Sequence, residues 1–463
     1  MKETKQWGKF SRWAAVGTLS LSLLLGHVIP VKAEGPVTVP QISPWSVSTL
    51  NEGEKYGIFP PQWYMDGTFQ KAITADKFNS LMSATATKLD QLGFKKKDST
   101  LSVVHSGKEA ITRESVITSF YKLLTNYELP ETFAVTTDTS LDYMQKQGIV
   151  QGNGSGLGLS NPSTVEQAAV IATRLIEFAY DKADSGAEGL MWKVTNEKNT
   201  LYLFGSIHAG ITDMYPMHKS VRDAYNTSDE LWVEADIVAG DMDYYAQTML
   251  YKEGTSLKDS VSADTYAKLQ KVLTKLEIPA ETFDVYKPFA ISSTLSSLYT
   301  YGTFEESQMA QFHGVDRYFL TSALLSAKPV HELEGIKFQA DLFASVPAEK
   351  QEKELNALLD AFLSDTDRDE AGEQLKQMQL AWVKGDQAGL LKVLTTPEGS
   401  AESDTNKLLF GDRDKKMAIK LAELLEREGE NTSFVVVGAG HYVQKGLVID
   451  LLKEKGYTVE AMQ

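Results

Sequence analysis

The chain has 463 residues, with 46 basic and 62 acidic side chains for a net charge of −16, seven histidines and no cysteine. Its length leaves room for two or three domains, and 42% hydrophobic and 23% charged residues are globular values that exclude a disordered or collagen-like chain. The missing cysteines remove a disulfide scaffold, a thiolate zinc site and a cysteine nucleophile. The acidic balance argues against nucleic-acid binding, which needs a basic footprint. Chemistry therefore falls to His, Glu, Asp, Ser or Arg.

Residues 1–33 read as an export signal. Lys2, Lys5, Lys9 and Arg12 precede an apolar run from Trp13 to Pro30, and Val31-Lys32-Ala33 supplies a small residue at a plausible cut before Glu34. The run is short for a spanning helix and is interrupted by Gly17 and Gly26, and no later stretch is long and apolar enough to cross a bilayer. Cleavage after residue 33 takes five basic groups and one acid, leaving a charge of −20. The expected location is secreted, with wall attachment as an option set by the next segment.

Residues 40–182 repeat a helical theme three times. Trp45 opens a helix-like stretch ending in Gly57-Ile58-Phe59-Pro60, and Ile73-Thr74-Ala75-Asp76 leads into another helix. Ile111-Thr112-Arg113-Glu114 leads into SVITSFYKLL, and the fullest copy spans residues 141–178, with Gly148-Ile149-Val150 and a glycine-rich turn before Thr164-Val165-Glu166. Thr74, Thr112 and Thr164 each precede an acid and an apolar-periodic run, which predicts three N-caps. This pattern resembles the S-layer homology (SLH) repeat, which implies a mainly α-helical domain that holds anionic cell-wall polymer. Only Arg113 stands where that repeat places its arginine.

A polar link, Asp181 to Glu188, precedes residues 188–463, where short apolar strands alternate with amphipathic helices. This is the signature of an α/β domain with a mixed or parallel sheet. Met191–Thr195 and Thr200–Phe204 form a hairpin about Asn196-Glu197-Lys198-Asn199, and the second strand stops at Gly205-Ser206-Ile207-His208. Ser433–Val437 stops at Gly438-Ala439-Gly440-His441 in the same spacing. A continuous apolar run predicts a strand buried on both faces, and ligands of open α/β sheets bind outside the carboxyl ends of the strands. Glu230–Val233 runs into Glu234, and Lys328–His331 runs into Glu332-Leu333-Glu334. Parallel pairing would bring His208, Glu234, Glu334 and His441 to one edge. Two imidazoles with one or two carboxylates suit a divalent ion such as Mn2+, Co2+, Zn2+ or Fe2+, and a spare carboxylate would serve as general base. Arg413 precedes the helix MAIKLAELLERE and is expected either to polarise a carbonyl or to pair with Asp412 or Asp414 at the surface. Asp316 opens a helix, where capping is its simplest role. Helical blocks at residues 237–300, rich in tyrosine, and at 347–389 are expected to pack as helices or to wall a cleft over the sheet edge.

LYLFGSIHAG, SDELWVEAD, Gly314-Val315-Asp316, LEGIKFQ, Arg413 and VVVGAGHYVQKGLVIDLL together resemble the TraB/GumN family, which includes the Tiki-type proteases. The resemblance implies an α/β core around a mixed sheet with helical insertions and a peptidase dependent on Mn2+ or Co2+, with Zn2+ an alternative. Carried across, the family's motif histidines fall on His208 and His441, its acids on Glu234 and Glu334, and its arginine on Arg413. The expected roles are His208, His441 and Glu334 as metal ligands, Glu234 as base, with the two glutamates interchangeable in these roles, Arg413 as oxyanion stabiliser, and Gly205, Gly438 and Asp316 as further site residues. Where the family often has Arg-Asn this chain has Arg413-Asp414, and where it often has Glu-Thr this chain has Glu334-Gly335, while Gln339 is retained. The expected function is an exported, wall-associated, metal-dependent hydrolase of peptide or protein substrates. The alternative is a non-catalytic protein that sequesters a peptide signal or wall polymer.

Overall fold

The structure is a computed structural model that describes residues 40–99, 105, 109–135, 139–152, 156–364, 368–394 and 408–462. The expected export signal, residues 1–33, lies outside them. Chain contacts divide the described residues into two compact units, one running to Ala187 and including Thr212–Arg222, the other comprising Glu188–Ile211 and the chain from Asp223 onwards.

The first unit is helical, with helices Val47–Lys55, Ala75–Asp90, Arg113–Thr125, Ser140–Lys146 and Val165–Lys182. The Thr74, Thr112 and Thr164 hydroxyls accept from the backbone amides of Lys77, Ser115 and Gln167, and Gln167 returns a bond to the Thr164 amide. Each threonine thus satisfies an orphan donor of its helix's first turn, as its position predicts. Isolated bridges Ala72–Thr164 and Thr112–Pro162 tie the three helix starts together. Phe78, Phe120, Phe133 and Leu175 fill the interior.

The second unit is built on six strands: β1 (Leu190–Asn196), β2 (Asn199–Ser206), β3 (Glu230–Val233), β4 (Val330–Glu332), β5 (Thr432–Gly438) and β6 (Val459–Met462). Their order across the sheet is β4-β3-β5-β2-β1-β6. β4, β3, β5 and β2 are parallel, and β1 pairs antiparallel with both β2 and β6, so the sheet is mixed as expected. Central β5 is flanked on both sides, and Phe434, Val435, Val436 and Val437 are wholly buried. This is why it reads as an unbroken apolar run. Phe319, from the helix Val315–Ser326, packs its ring against Phe204 and Phe434.

The two helical blocks share one apolar core, and only the second also reaches the strand ends. Tyr245, Leu269, Phe283, Leu295 and Leu355 form a separate apolar core beside the sheet, so the tyrosine-rich block is packing. The later helices Arg368–Val383 and Gln387–Leu394 reach the strand ends: the Trp382 indole donates to the Gly205 carbonyl at 2.7 Å and the Gln379 amide to the Ala209 carbonyl at 2.9 Å.

Candidate functional site

Parallel pairing of β2, β3, β4 and β5 carries His208, Glu234, Glu334 and His441 to one edge of the sheet. Gly205 and Gly438 shape that edge. A Cβ on Gly205 would stand 3.1 Å from the Ala439 backbone, so the ends of β2 and β5 approach this closely because residue 205 has no side chain. The Gly438 amide donates to Glu234 Oε1 at 2.6 Å. Gly314 lies so close to the His208 carbonyl that a Cβ would come within 2.2 Å of it, and the Val315 amide donates to the Ile207 carbonyl at 3.0 Å. The His208 backbone is thereby clamped by the start of the Val315 helix.

Each imidazole rests on a carboxylate. His208 Nδ1 lies 2.6 Å from Asp316 Oδ2, and Ser206 Oγ donates to Asp316 Oδ1 at 2.8 Å. His441 Nδ1 lies 2.9 Å from Asp414 Oδ1, and the fully buried Asp414 also accepts from the Gly411 amide at 2.7 Å. His441 Nδ1 makes a hydrogen bond to its carboxylate, whereas His208 Nδ1 and Asp316 Oδ2 meet at ion-pair distance without hydrogen-bond geometry; on both rings Nδ1 faces the carboxylate and Nε2 is the atom directed elsewhere. Asp316 therefore does more than open its helix. Asp414, expected only at the surface, is the orienter of His441; the chain's Asp in place of the family's Asn was the one sequence signal for it. Burial works against charge on His208, but Asp316, aided by Glu234, outweighs it and raises the imidazole to about 9.

Arg413 is buried and ties the two glutamates together. Its Nε donates to Glu334 Oε1 at 2.8 Å, Nη2 to Glu334 Oε2 at 2.7 Å and to Glu234 Oε2 at 2.9 Å, and Nη1 to the Leu409 carbonyl at 2.9 Å. The Gln339 amide nitrogen adds bonds to Glu234 Oε2 at 3.3 Å and Glu334 Oε2 at 3.2 Å. Two sequence expectations change here. Glu334, expected as a metal ligand, spends both oxygens on the guanidinium in a bidentate pair. Arg413, expected to meet an oxyanion, directs its donors to two glutamates and a carbonyl. Glu234 is the carboxylate near both imidazoles, with Oε1 4.0 Å from His441 Nε2. Burial pushes its pKa up, yet His441, Arg413, His208 and the Gly438 amide together hold it down at about 2, so it is ionised at neutral pH.

These groups open onto a cavity of about 120 Å3. His208, Glu234, Gln339, Arg413, Gly438 and His441 line it, and the Arg368 and Gln387 helices supply much of the remaining wall. Its walls contain no tyrosine among the described residues. Among the described residues no three His, Asp or Glu side chains converge closely enough to hold a metal ion. The donor set is still of a metal-binding kind: two rings whose Nε2 points away from a bracing carboxylate, as in metal-ligating histidines, beside a glutamate ionised at neutral pH. The second proton that a pKa of about 9 leaves on His208 is one that an ion would displace.

The helical unit has its own cavity, of about 570 Å3, lined by Trp45, Arg113, Gln151, Asn161, Gln167 and Arg174 among others. Arg113 donates to the Gln151 carbonyl at 3.1 Å, and its buried Nε has no hydrogen-bond partner among the described residues. Burial first, and then the nearby Arg174, pull the Arg113 pKa down. Sequence reading placed only Arg113 here; Arg174 comes from a helix sixty residues later and carries no motif.

Comparison with known proteins agrees with the sheet unit's reading. Over 146 residues the chain is 26% identical to the uncharacterized protein YbaP of Escherichia coli (strain K12), covering 32% of this chain and 52% of YbaP, and equally to YbaP of Shigella flexneri. The chain thus spans about half the length of these curated relatives. A stretch of 55 residues, 12% of each chain, is 40% identical to the metalloprotease TIKI homolog of Nematostella vectensis. No solved structure gives a significant match. The TraB/PrgY/gumN family pattern matches residues 190–461, from the first residue of β1 into β6 and more than half of the chain. The chain belongs to the TraB/PrgY/gumN family.

Proposed function

We propose that the sheet unit is a metal-dependent hydrolase acting on peptide bonds. The observation that carries this is the pair of Gly-x-x-His imidazoles at the parallel sheet edge, each with Nδ1 held by a buried carboxylate, beside ionised Glu234. The residues that would hold a divalent cation are His208 and His441 through Nε2, with Glu234 as the charged donor. When bound, Mn2+, Co2+ or Zn2+ would supply a Lewis acid for the scissile carbonyl and lower the pKa of water. Asp316 and Asp414 fix the rings, and Arg413 fixes Glu234 while Glu334 balances its charge. A glutamate held at about 2 is a poor general base at neutral pH, so Glu234 contributes charge rather than proton uptake. Hydrolysis consumes one water: the amide C–N bond breaks, hydroxyl joins the carbonyl carbon, and a proton goes to the departing nitrogen.

The test is metal analysis of the purified protein beside His208→Ala and His441→Ala, each then offered a peptide library with Mn2+, Co2+ or Zn2+. Metal and cleavage lost together in the variants support the reading. Metal content and cleavage retained in both variants refute it, and binding of peptides without turnover in the parent would make the protein a sequestering one.

The helical unit supports a second activity, attachment to an anionic cell-wall polymer, which fits the export pattern of residues 1–33. Its basis is the Arg113–Arg174 cavity, where two like charges share a partly buried wall. Co-sedimentation with purified wall polymer that is abolished by Arg113→Ala/Arg174→Ala supports attachment; sedimentation equal in both proteins refutes this site.

A further inference from the structure

The cavity at the sheet edge is two-sided in chemistry. Every charged side chain on its wall belongs to the site: His208, Glu234, Arg413 and His441. The rest of the wall is mostly apolar, with Phe343 from the helix Ile336–Ala344, Leu375 and Met378 from the Arg368 helix, Leu390 from the Gln387 helix, and Leu409 and Phe410 just before Arg413. Phe410 lies against the His441 ring, with centroids 4.9 Å apart, so the apolar wall begins directly at an imidazole. Protein interiors seldom leave a void of this size unfilled. At about 120 Å3 it is comparable with an engineered apolar cavity of ~150 Å3 that accepts benzene, so it has room for a leucyl- or phenyl-sized group.

One polar atom on the same wall adds a direction. Gln339 is 3% exposed, and its NH2 group is committed to the two glutamates, which accept only. That fixes the amide's orientation and leaves Oε1 as a buried acceptor without a partner among the described residues. A buried acceptor left unpaired is costly, and a ligand N–H would satisfy it once the Gln339 side chain turns that oxygen, covered in this structure, to the cavity.

We propose that this cavity is a side-chain subsite for a large apolar residue of the substrate peptide, whose backbone N–H is accepted by Gln339 Oε1. The inference rests on the hydrolase reading for the identity of the site, but it concerns recognition and can be tested apart from turnover. The occupant is one amino-acid residue with its amide: the apolar side chain meets Phe343, Leu375 and Met378, and the peptide group meets the charged edge. Charged side chains are disfavoured because, among the described residues, the parts of the Arg368 and Gln387 helices that line the cavity offer no charged group to meet them.

The experiment uses the purified protein with quenched fluorogenic peptides identical except for one residue beside the scissile bond: Ala, Leu, Phe, Glu or Lys. A matching Phe peptide carries an N-methylated amide at that residue. Cleavage is read as kcat/KM with Mn2+ or Co2+, and binding of the same peptides by calorimetry. Leu and Phe are expected to exceed Glu and Lys by roughly ten- to a hundredfold, the factor that burying one such side chain supplies, and N-methylation is expected to lower binding about tenfold. Ala371→Phe, which fills the cavity from its wall, should erase the preference for Phe over Ala. Met378→Ala, which enlarges it, should raise the preference for Phe over Leu. Selective binding of apolar peptides without cleavage would sink the hydrolase reading and keep the subsite. Equal or charge-favouring binding across the series, or a Phe preference unchanged in both variants, would overturn the subsite.

Discussion

Replacing Arg413 with methionine is the perturbation with the largest expected effect on stability. The guanidinium is 7% exposed and is the shared cation of Glu234 and Glu334, whose side chains are only 11% and 6% exposed. Breaking a buried pair by removing one partner strands the other charge, at a cost of ~3–5 kcal/mol. The pKa of Glu234 gives an independent scale. Held at about 2 against a usual 4.5, it contributes ~3 kcal/mol, of which Arg413 supplies a share second to that of His441. Because the folded value is depressed, this stability is fully present above pH 4.5 and is lost as pH falls towards 2. In Arg413→Met, Glu234 takes up its proton at higher pH, so the gap from the parent is widest at neutral pH and narrows on acidification. Urea unfolding at pH 7.5 and pH 5, followed by fluorescence of Trp192, Trp232 and Trp382 in the sheet unit, measures both quantities. Arg413→Met/Glu234→Gln/Glu334→Gln, which removes the stranded charges, should recover most of the loss. A gap below ~1 kcal/mol at pH 7.5, or one that widens at pH 5, would refute the buried-triad account.

Asp316→Asn and Asp414→Asn keep the shape of each orienting group and remove its charge; metal affinity or turnover should fall roughly 10- to 100-fold while the far-UV spectrum is unchanged. Wild-type metal affinity in both variants, measured by titration against a competing chelator, would show that the rings need no bracing. In the helical unit Lys88 is 4% exposed, donates to the Thr212 carbonyl at 2.8 Å, and is pulled by burial from 10.5 to about 8, Asp213 opposing. Its unfolded form binds the proton more tightly, so this group's penalty of ~3 kcal/mol is complete below pH 8 and relieved as pH rises towards 10.5. Lys88→Met should therefore stabilise the protein at pH 7, with the advantage shrinking by pH 10; an advantage independent of pH in thermal unfolding would contradict this.

Much of the fold was legible because it is set locally. A threonine ahead of an acid and an apolar-periodic run caps a helix through atoms three residues apart, and Thr74, Thr112 and Thr164 all do so. A run such as Phe434–Val437 announces a strand buried on both faces by composition alone, and its neighbours' parallel direction then delivers His208, Glu234, Glu334 and His441 to one edge. The Gly-x-x-His spacing marked the two rings that line the cavity at that edge.

Side-chain partners were another matter. Asp316 and Ser206 are 110 residues apart in the chain, and Arg413 and Glu234 are 179 apart. No periodicity encodes such pairings, because they depend on where packed helices deliver side chains to the strand ends. The tertiary structure therefore decided that Glu334 answers Arg413, that Asp414 turns inward to His441, and that Arg174 joins Arg113. It also decided which helical block walls the cavity. Both blocks pack into the same core beside the sheet, and only the later helices, from Arg368 onwards, also turn apolar side chains to the sheet edge and leave a void beside the histidines.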